Sequence, residues 1–188
     1  MDLKSRVKNI LVTPRSEWQA IGDEPADIAS LYTGYILPLA VIRPVCSAIG
    51  LWLIGIMGFH IGFGAALGSA VVQYIFSLIA VYVAALIASK LAPAFGGRDD
   101  LVQGLKLIAY SATASWVGGV FGLIPLLSIL GALVSLYSLY LLFAGAAVMM
   151  SIPEDRAVGY AASVIIATIG VFLILFYLAG SIGMRAMM

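Results

Sequence analysis

Residues that could do chemistry are few in this chain, and the most unusual is a charged residue inside an apolar run, Arg43, followed by Pro44. If that run is a helix starting near Leu31, Arg43 lies roughly 18 Å along its axis, at ~1.5 Å per residue. In a bilayer that is close to the midplane, where a charge costs from ~3 kcal/mol on insertion scales to more than ~10 in simulations. Such a charge requires a polar neighbour or water. Pro44 removes a backbone donor and frees a carbonyl one turn back, near Ala40. All nine acidic residues lie in other segments, so the candidate partners are neutral hydroxyls: Tyr110, Ser111, Thr113 and Tyr137. With Arg43 and Pro44 these make a candidate intramembrane polar site. It could hold an anion, or Arg43 could snorkel to a headgroup.

The other reactive types assemble into nothing catalytic. Cys46 is the single cysteine and His60 the single histidine. They sit at different depths, and neither has a neighbour in the chain that completes a nucleophile–base pair. Ser111 has no histidine close by either. One cysteine and one histidine supply neither an internal disulfide nor a zinc cluster. Asp99-Asp100 read as a solvated turn and a helix cap, since two adjacent acids rarely complete an oxygen shell for a divalent ion. The expectation is therefore no catalytic residue, no metal and no cofactor.

The setting of these residues follows from composition. Of 188 residues, 63% are hydrophobic and 10% charged. A soluble domain is nearer half apolar and a quarter charged, and it cannot hide such an excess from water. The net charge of +1 leaves no basic surface for nucleic acid. No secretory signal is expected, because Lys4, Arg6 and Lys8 interrupt the first apolar stretch.

Five stretches are long enough to cross hydrocarbon as helices, at about 20 apolar residues each. They run from about Leu31 to Gly58, Gly68 to Ser89, Leu105 to Leu123, Leu126 to Met150 and Val158 to Ile182. Backbone groups in lipid must be satisfied internally, so the expected fold is all-α: a polytopic bundle of five transmembrane helices, residues 31–188, behind an N-terminal segment, residues 1–30. Lys4, Arg6, Lys8, Arg15, Lys90, Arg98, Lys106 and Arg156 fall on one side and Arg185 on the other, which puts the N-terminus inside and the C-terminus outside. A six-span alternative would place Lys90, Arg98 and Lys106 outside, so the surplus around Met57–Leu67 is read as an outer re-entrant or interfacial piece.

The N-terminal segment is amphipathic. Leu3, Val7, Ile10 and Leu11 share a helical face, with Lys4, Arg6 and Lys8 around it, as in a helix lying on an anionic membrane surface. Thr13-Pro14 reads as a helix start with Glu17 in the first turn, and Trp18 is placed for headgroup depth. Glycines recur four apart at Gly58/Gly62, Gly64/Gly68 and Gly118/Gly122, spacing that lets helices approach closely, either within the bundle or between copies of the chain. Tyr137 and Tyr140 share one face of the fourth span and want hydroxyl partners.

Several stretches together resemble the Yip family, the Ypt/Rab-interacting membrane proteins, in its short prokaryotic form. The start of the first span reads Leu31-Tyr32-Thr33-Gly34-Tyr35-Ile36-Leu37-Pro38. The inner linker reads Phe95-Gly96-Gly97, then Gln103, then Ala109-Tyr110-Ser111, similar to the family's Gly-Gly turn and Tyr-Ser signature. The fourth span carries Leu136-Tyr137-Ser138-Leu139-Tyr140-Leu141-Leu142 and ends in Met150-Ser151-Ile152-Pro153. Two departures stand out. Ala114-Ser115-Trp116 occupies the place where the family often has proline, and only about 30 residues precede the first span, so a small-GTPase role is not carried over. The resemblance implies a five-helix membrane protein without known catalysis that organises membranes, serves trafficking or binds partners. The alternative is a small channel or transporter for an anion or polar solute that uses Arg43. Expected partners are membrane lipids, other membrane proteins or a second copy, and no nucleic acid. The expected location is a bacterial cytoplasmic (inner) membrane.

Overall fold

Hydropathy and local breakers together account for the elements seen in the computed structural model, which describes residues 2–55 and 59–186, with side chains described up to 175 and at 177. Two short helices lead, α1 (Leu3–Val12) and α2 (Pro14–Asp23). Four helices are long and apolar enough to cross a membrane: α3 from Ile28, α4 from Phe63, α7 (Ser128–Met150) and α8 (Glu154–Ala186). No strand occurs among the described residues.

α3 spans Ile28–Leu53 but is not uniform. Asp27 caps it through a reciprocal box with Ser30. A π-turn covers Tyr32–Ile36, and the helix breaks at Val41 between Leu37–Ala40 and Ile42–Leu53. Pro38 and Pro44 explain this, since each withdraws a donor from the ladder. α4 (Phe63–Leu91) begins five residues before the expected Gly68 and runs on through a 3-10 turn, Ala92–Phe95. Gly96, at φ 86°, ends it in the left-handed region that glycine adopts without penalty. Asp100 then accepts from the backbone N–H groups of Val102 and Gln103, the expected helix cap.

The third expected span is corrected. Leu105–Leu123 is not one long apolar helix but three pieces: α5 (Leu101–Ser111), α6 (Thr113–Gly118) and a 3-10 segment Gly119–Leu123. Most of α5 and α6 is buried, including Leu105, Leu107, Ala109 and Ala114. Lipid selects long uniform apolar helices, whereas a segment enclosed by protein can bend and carry polar groups. α5 packs against α4 and α7, and the Gly119–Leu123 segment packs against α3. One end of the bundle joins the Gly96-Gly97 turn to the α7–α8 junction, where the Arg98 backbone N–H donates to the Met150 carbonyl at 3.0 Å. Of the residues assigned to an outer re-entrant piece and to the glycine pairs, 56–58, including Gly58, lie outside the described residues, as does the side chain of Arg185.

The N-terminal segment also departs from expectation. α1 and α2 fold back on the bundle, α2 against α7 and α1 against α6. Ile10, Trp18 and Ile21 are buried in the main core, so Trp18 is not at a lipid surface. Arg6, expected among the solvated charges, is 4% exposed.

Candidate functional site

Two clusters of polar side chains stand out, one around Arg43 and one beneath α1 and α2. Arg43 leaves α3 just after the Val41 break. Gly119 lets the two backbones meet there: a Cβ built on Gly119 would lie 2.5 Å from Cβ of Arg43. Arg43 forms no hydrogen bond or ion pair among the described residues, and two cavities meet at it. A small one of about 90 Å³ is lined by Ser47, Ser115, Ser128 and Ser135 as well as Arg43. At about 30 Å³ per molecule it has room for a few waters, and its hydroxyls could hold them. A larger one of about 340 Å³ is bounded by Gln73, Phe76, Ser77, Ser115 and Trp116. Pro44 also lines the larger cavity.

The expected hydroxyl partners are placed elsewhere. Thr113 donates to the Tyr110 carbonyl at 2.7 Å and shares a 2.6 Å hydrogen bond with the Tyr35 hydroxyl. Tyr137 donates to the Leu11 carbonyl at 3.1 Å, which ties α7 to α1. The Ser111 hydroxyl is buried without a partner among the described residues. Tyr110 lies with its ring centroid 4.3 Å from that of Tyr35, the planes tilted by 48°, and meets Trp18 edge-on. The four residues therefore build an aromatic and hydroxyl layer rather than a shell around Arg43. The serines that do face Arg43 come from α3, α6 and α7. Of the glycines, Gly118 packs against Val134 and Gly122 against Ser47, while Gly64 and Gly68 face open space.

The second cluster was not foreseen. Arg6 Nη1 donates to Glu17 Oε1 at 2.7 Å, with both side chains almost fully buried. Its other guanidinium nitrogen pairs with Glu24. The same guanidinium sits 5.9 Å over the Tyr110 ring. From below, Lys106 Nζ donates to the carbonyls of Ile21 at 2.9 Å and Glu24 at 2.5 Å, which satisfies the C-terminal end of α2. Trp18 lies over Gly145, where any side chain would strike its ring. Three basic residues at Lys4, Arg6 and Lys8 look alike in sequence. What distinguishes Arg6 is that it falls at the same turn as the buried Glu17, a relation made by the Thr13-Pro14 corner. At the Gly-Gly turn, Asp99 pairs with Lys90 at 2.6 Å and accepts from Ser89. These contacts, Lys90 first, hold its carboxyl below the usual carboxylate range.

The Yip1 domain family model matches residues 8–176, nearly the whole chain. The chain belongs to the Yip1 domain family. No curated protein and no solved structure matches it. The Yip1 assignment agrees with four helices of transmembrane length, and the protein is a membrane protein. The stretches that carried the Yip resemblance now have structural roles. Gly96 turns the chain, and Gly97 packs under Ile152 and the Met150 carbonyl. Tyr110 of the Tyr-Ser pair floors the Arg6 cluster, and Pro38 follows the π-turn in the first span. The Yip1 signature thus falls largely on the packing of the α1–α2 end of the bundle.

Proposed function

We propose that this Yip1 domain protein is a non-catalytic organiser of membranes and membrane partners, with a rigid cytoplasmic platform made by α1 and α2. The supporting observation is the Arg6–Glu17–Glu24 cluster with Lys106 beneath it, which fastens the platform over one end of the bundle. A helix pair that served only as a loose surface anchor would not need buried ion pairs. The platform presents Lys4, Lys8 and Arg15 outward, available to anionic lipid and to partners. Counting the path α5–α6–Leu123 as a crossing gives five, with the N-terminus inside and the C-terminus outside, in a bacterial inner membrane. The positive-inside distribution supports this orientation.

The rival reading, transport of an anion past Arg43, draws on the two cavities at that residue. Against it, the layer between those cavities and the platform is packed. Trp18, Tyr35, Tyr110, Thr113 and Trp116 are each at most 7% exposed. Proteoliposomes loaded with a halide-sensitive dye test the choice. The organiser reading expects no flux of chloride or nitrate under an imposed potential, and photo-crosslinkers at Lys8 and Arg15 should form discrete adducts in the native membrane. Arg43→Leu should melt within about 1 kcal/mol of wild type, since no ion pair is lost. Saturable anion flux abolished by Arg43→Leu would overturn the organiser reading.

A further inference from the structure

A groove runs along the bundle where α2, α7 and the start of α8 meet. Its floor is one stripe of α7, with Tyr140, Phe143, Ala144, Ala147 and Val148 at helical i, i+3, i+4 spacing. Arg15 and Gln19 of α2 form one wall and Glu154 and Ala157 of α8 the other. The volume is about 510 Å³. Alanines at 144 and 147 keep the floor low, whereas Tyr140 and Phe143 remain 40% and 39% exposed. Tyr140 stands ten residues before the end of α7, so the groove is ~15 Å long.

A second chamber of about 380 Å³ shares Gln19 and Val148 with the groove. Asp23, Arg98 and Gln103 line that chamber. Oε1 of Gln103 is buried and has no hydrogen-bond partner among the described residues. A buried acceptor without a donor is destabilising until a ligand supplies one. Arg15 and Asp23 have no ion-pair partner among the described residues either. Arg98 makes one side-chain hydrogen bond, to the Ser151 hydroxyl at 2.9 Å, and its guanidinium has further donors to offer.

We propose that this groove and chamber hold one ordered phospholipid whose headgroup carries a primary ammonium beside its phosphate. The acyl chain lies along the α7 stripe. The guanidinium group of Arg98 faces the phosphate, for which arginine geometry is suited. The ammonium donates to Gln103 Oε1 and the Asp23 carboxylate. Arg98 and Asp23 in one chamber match a zwitterion. A purely anionic headgroup would bring its charge beside the Asp23 carboxylate. A quaternary ammonium has no N–H for Gln103. The inference does not depend on the number of crossings or on their orientation.

The full chain, purified in detergent, can be titrated with equimolar phosphatidylethanolamine, phosphatidylcholine and phosphatidylglycerol of identical chains, with bound lipid read by native mass spectrometry. One phosphatidylethanolamine should be retained about tenfold more strongly than either competitor, the scale of one charge-assisted hydrogen bond. Asp23→Asn should erase that preference while total lipid is still bound. Ala147→Phe should fill the floor and lower occupancy by every lipid, and Arg98→Ala, at an exposed position, should weaken retention of all three lipids. Equal retention of the three lipids, unaltered by Ala147→Phe, would overturn the site. Preference for phosphatidylglycerol that survives Asp23→Asn would overturn the zwitterionic assignment. Equally strong binding of soluble glycerophosphoethanolamine would overturn the role given to the acyl groove.

Discussion

Replacing Arg6 by alanine removes the one cation that Glu17 and Glu24 share. Glu17 is the sensitive partner, because its side chain is 6% exposed, whereas that of Glu24 is 47% exposed and can turn to water. Leaving a buried carboxylate unpaired costs about 3–5 kcal/mol. Loss of the cation over the Tyr110 ring adds up to ~1 kcal/mol. The long helices do not depend on this cluster, so the cost should appear as release of α1 and α2 rather than as unfolding of the bundle. At ~1.4 kcal/mol per decade, opening of residues 3–23 should become at least ~100-fold more frequent. Hydrogen exchange of the detergent-purified chain reads this directly, with faster exchange in α1 and α2 and unchanged protection in α4 and α7. The double variant Arg6→Met with Glu17→Leu should recover most of the protection, since a buried pair replaced by apolar groups is often neutral. Wild-type exchange across α1 and α2 in Arg6→Ala would refute the reasoning. It would mean that the helix pair is held by the Ile10, Trp18 and Ile21 contacts without help from the ion pairs.

Gly145→Ala places a methyl 2.6 Å from Cε2 of Trp18, so the indole must shift at a cost of about 1–3 kcal/mol, and the check is a lower melting temperature with altered near-ultraviolet dichroism. Asp99 supplies a pH test of the Gly-Gly turn. Its carboxyl titrates below its ordinary value of 3.8, so its contribution is complete above that value and is lost as pH falls through the lowered one. Protection of residues 96–100 against exchange, taken relative to the intrinsic rate at each pH, should therefore weaken as pH falls below 3.8 in wild type, and a variant with Asp99→Asn should show low protection throughout and no such transition.

Hydropathy by itself determined that this chain is an all-helical membrane protein, because a 63% hydrophobic composition has no other stable solvent and long apolar runs have no other backbone solution in lipid. Local chemistry was equally legible: Asp100 caps α5 and Pro14 opens α2. The Yip-like stretches also pointed to the family that the match over residues 8–176 establishes. Tertiary structure decided the rest. Hydropathy scored residues 105–123 as one more span, yet enclosure by α3, α4 and α7 lets that path break after Ser111 and pass into a 3-10 turn. An amphipathic pattern at residues 3–11 reads identically for a helix on lipid and a helix on protein, since both solvents accept the same apolar stripe. Only the fold brought Glu17 and Glu24 to Arg6, and only the fold put Ser47, Ser115 and Ser135 around a cavity with Arg43 in place of Tyr110, Thr113 and Tyr137. Periodicity fixes which face of a helix is polar. It does not fix which neighbour that face meets, because the rotation of one helix against another is set by the packing of all of them together.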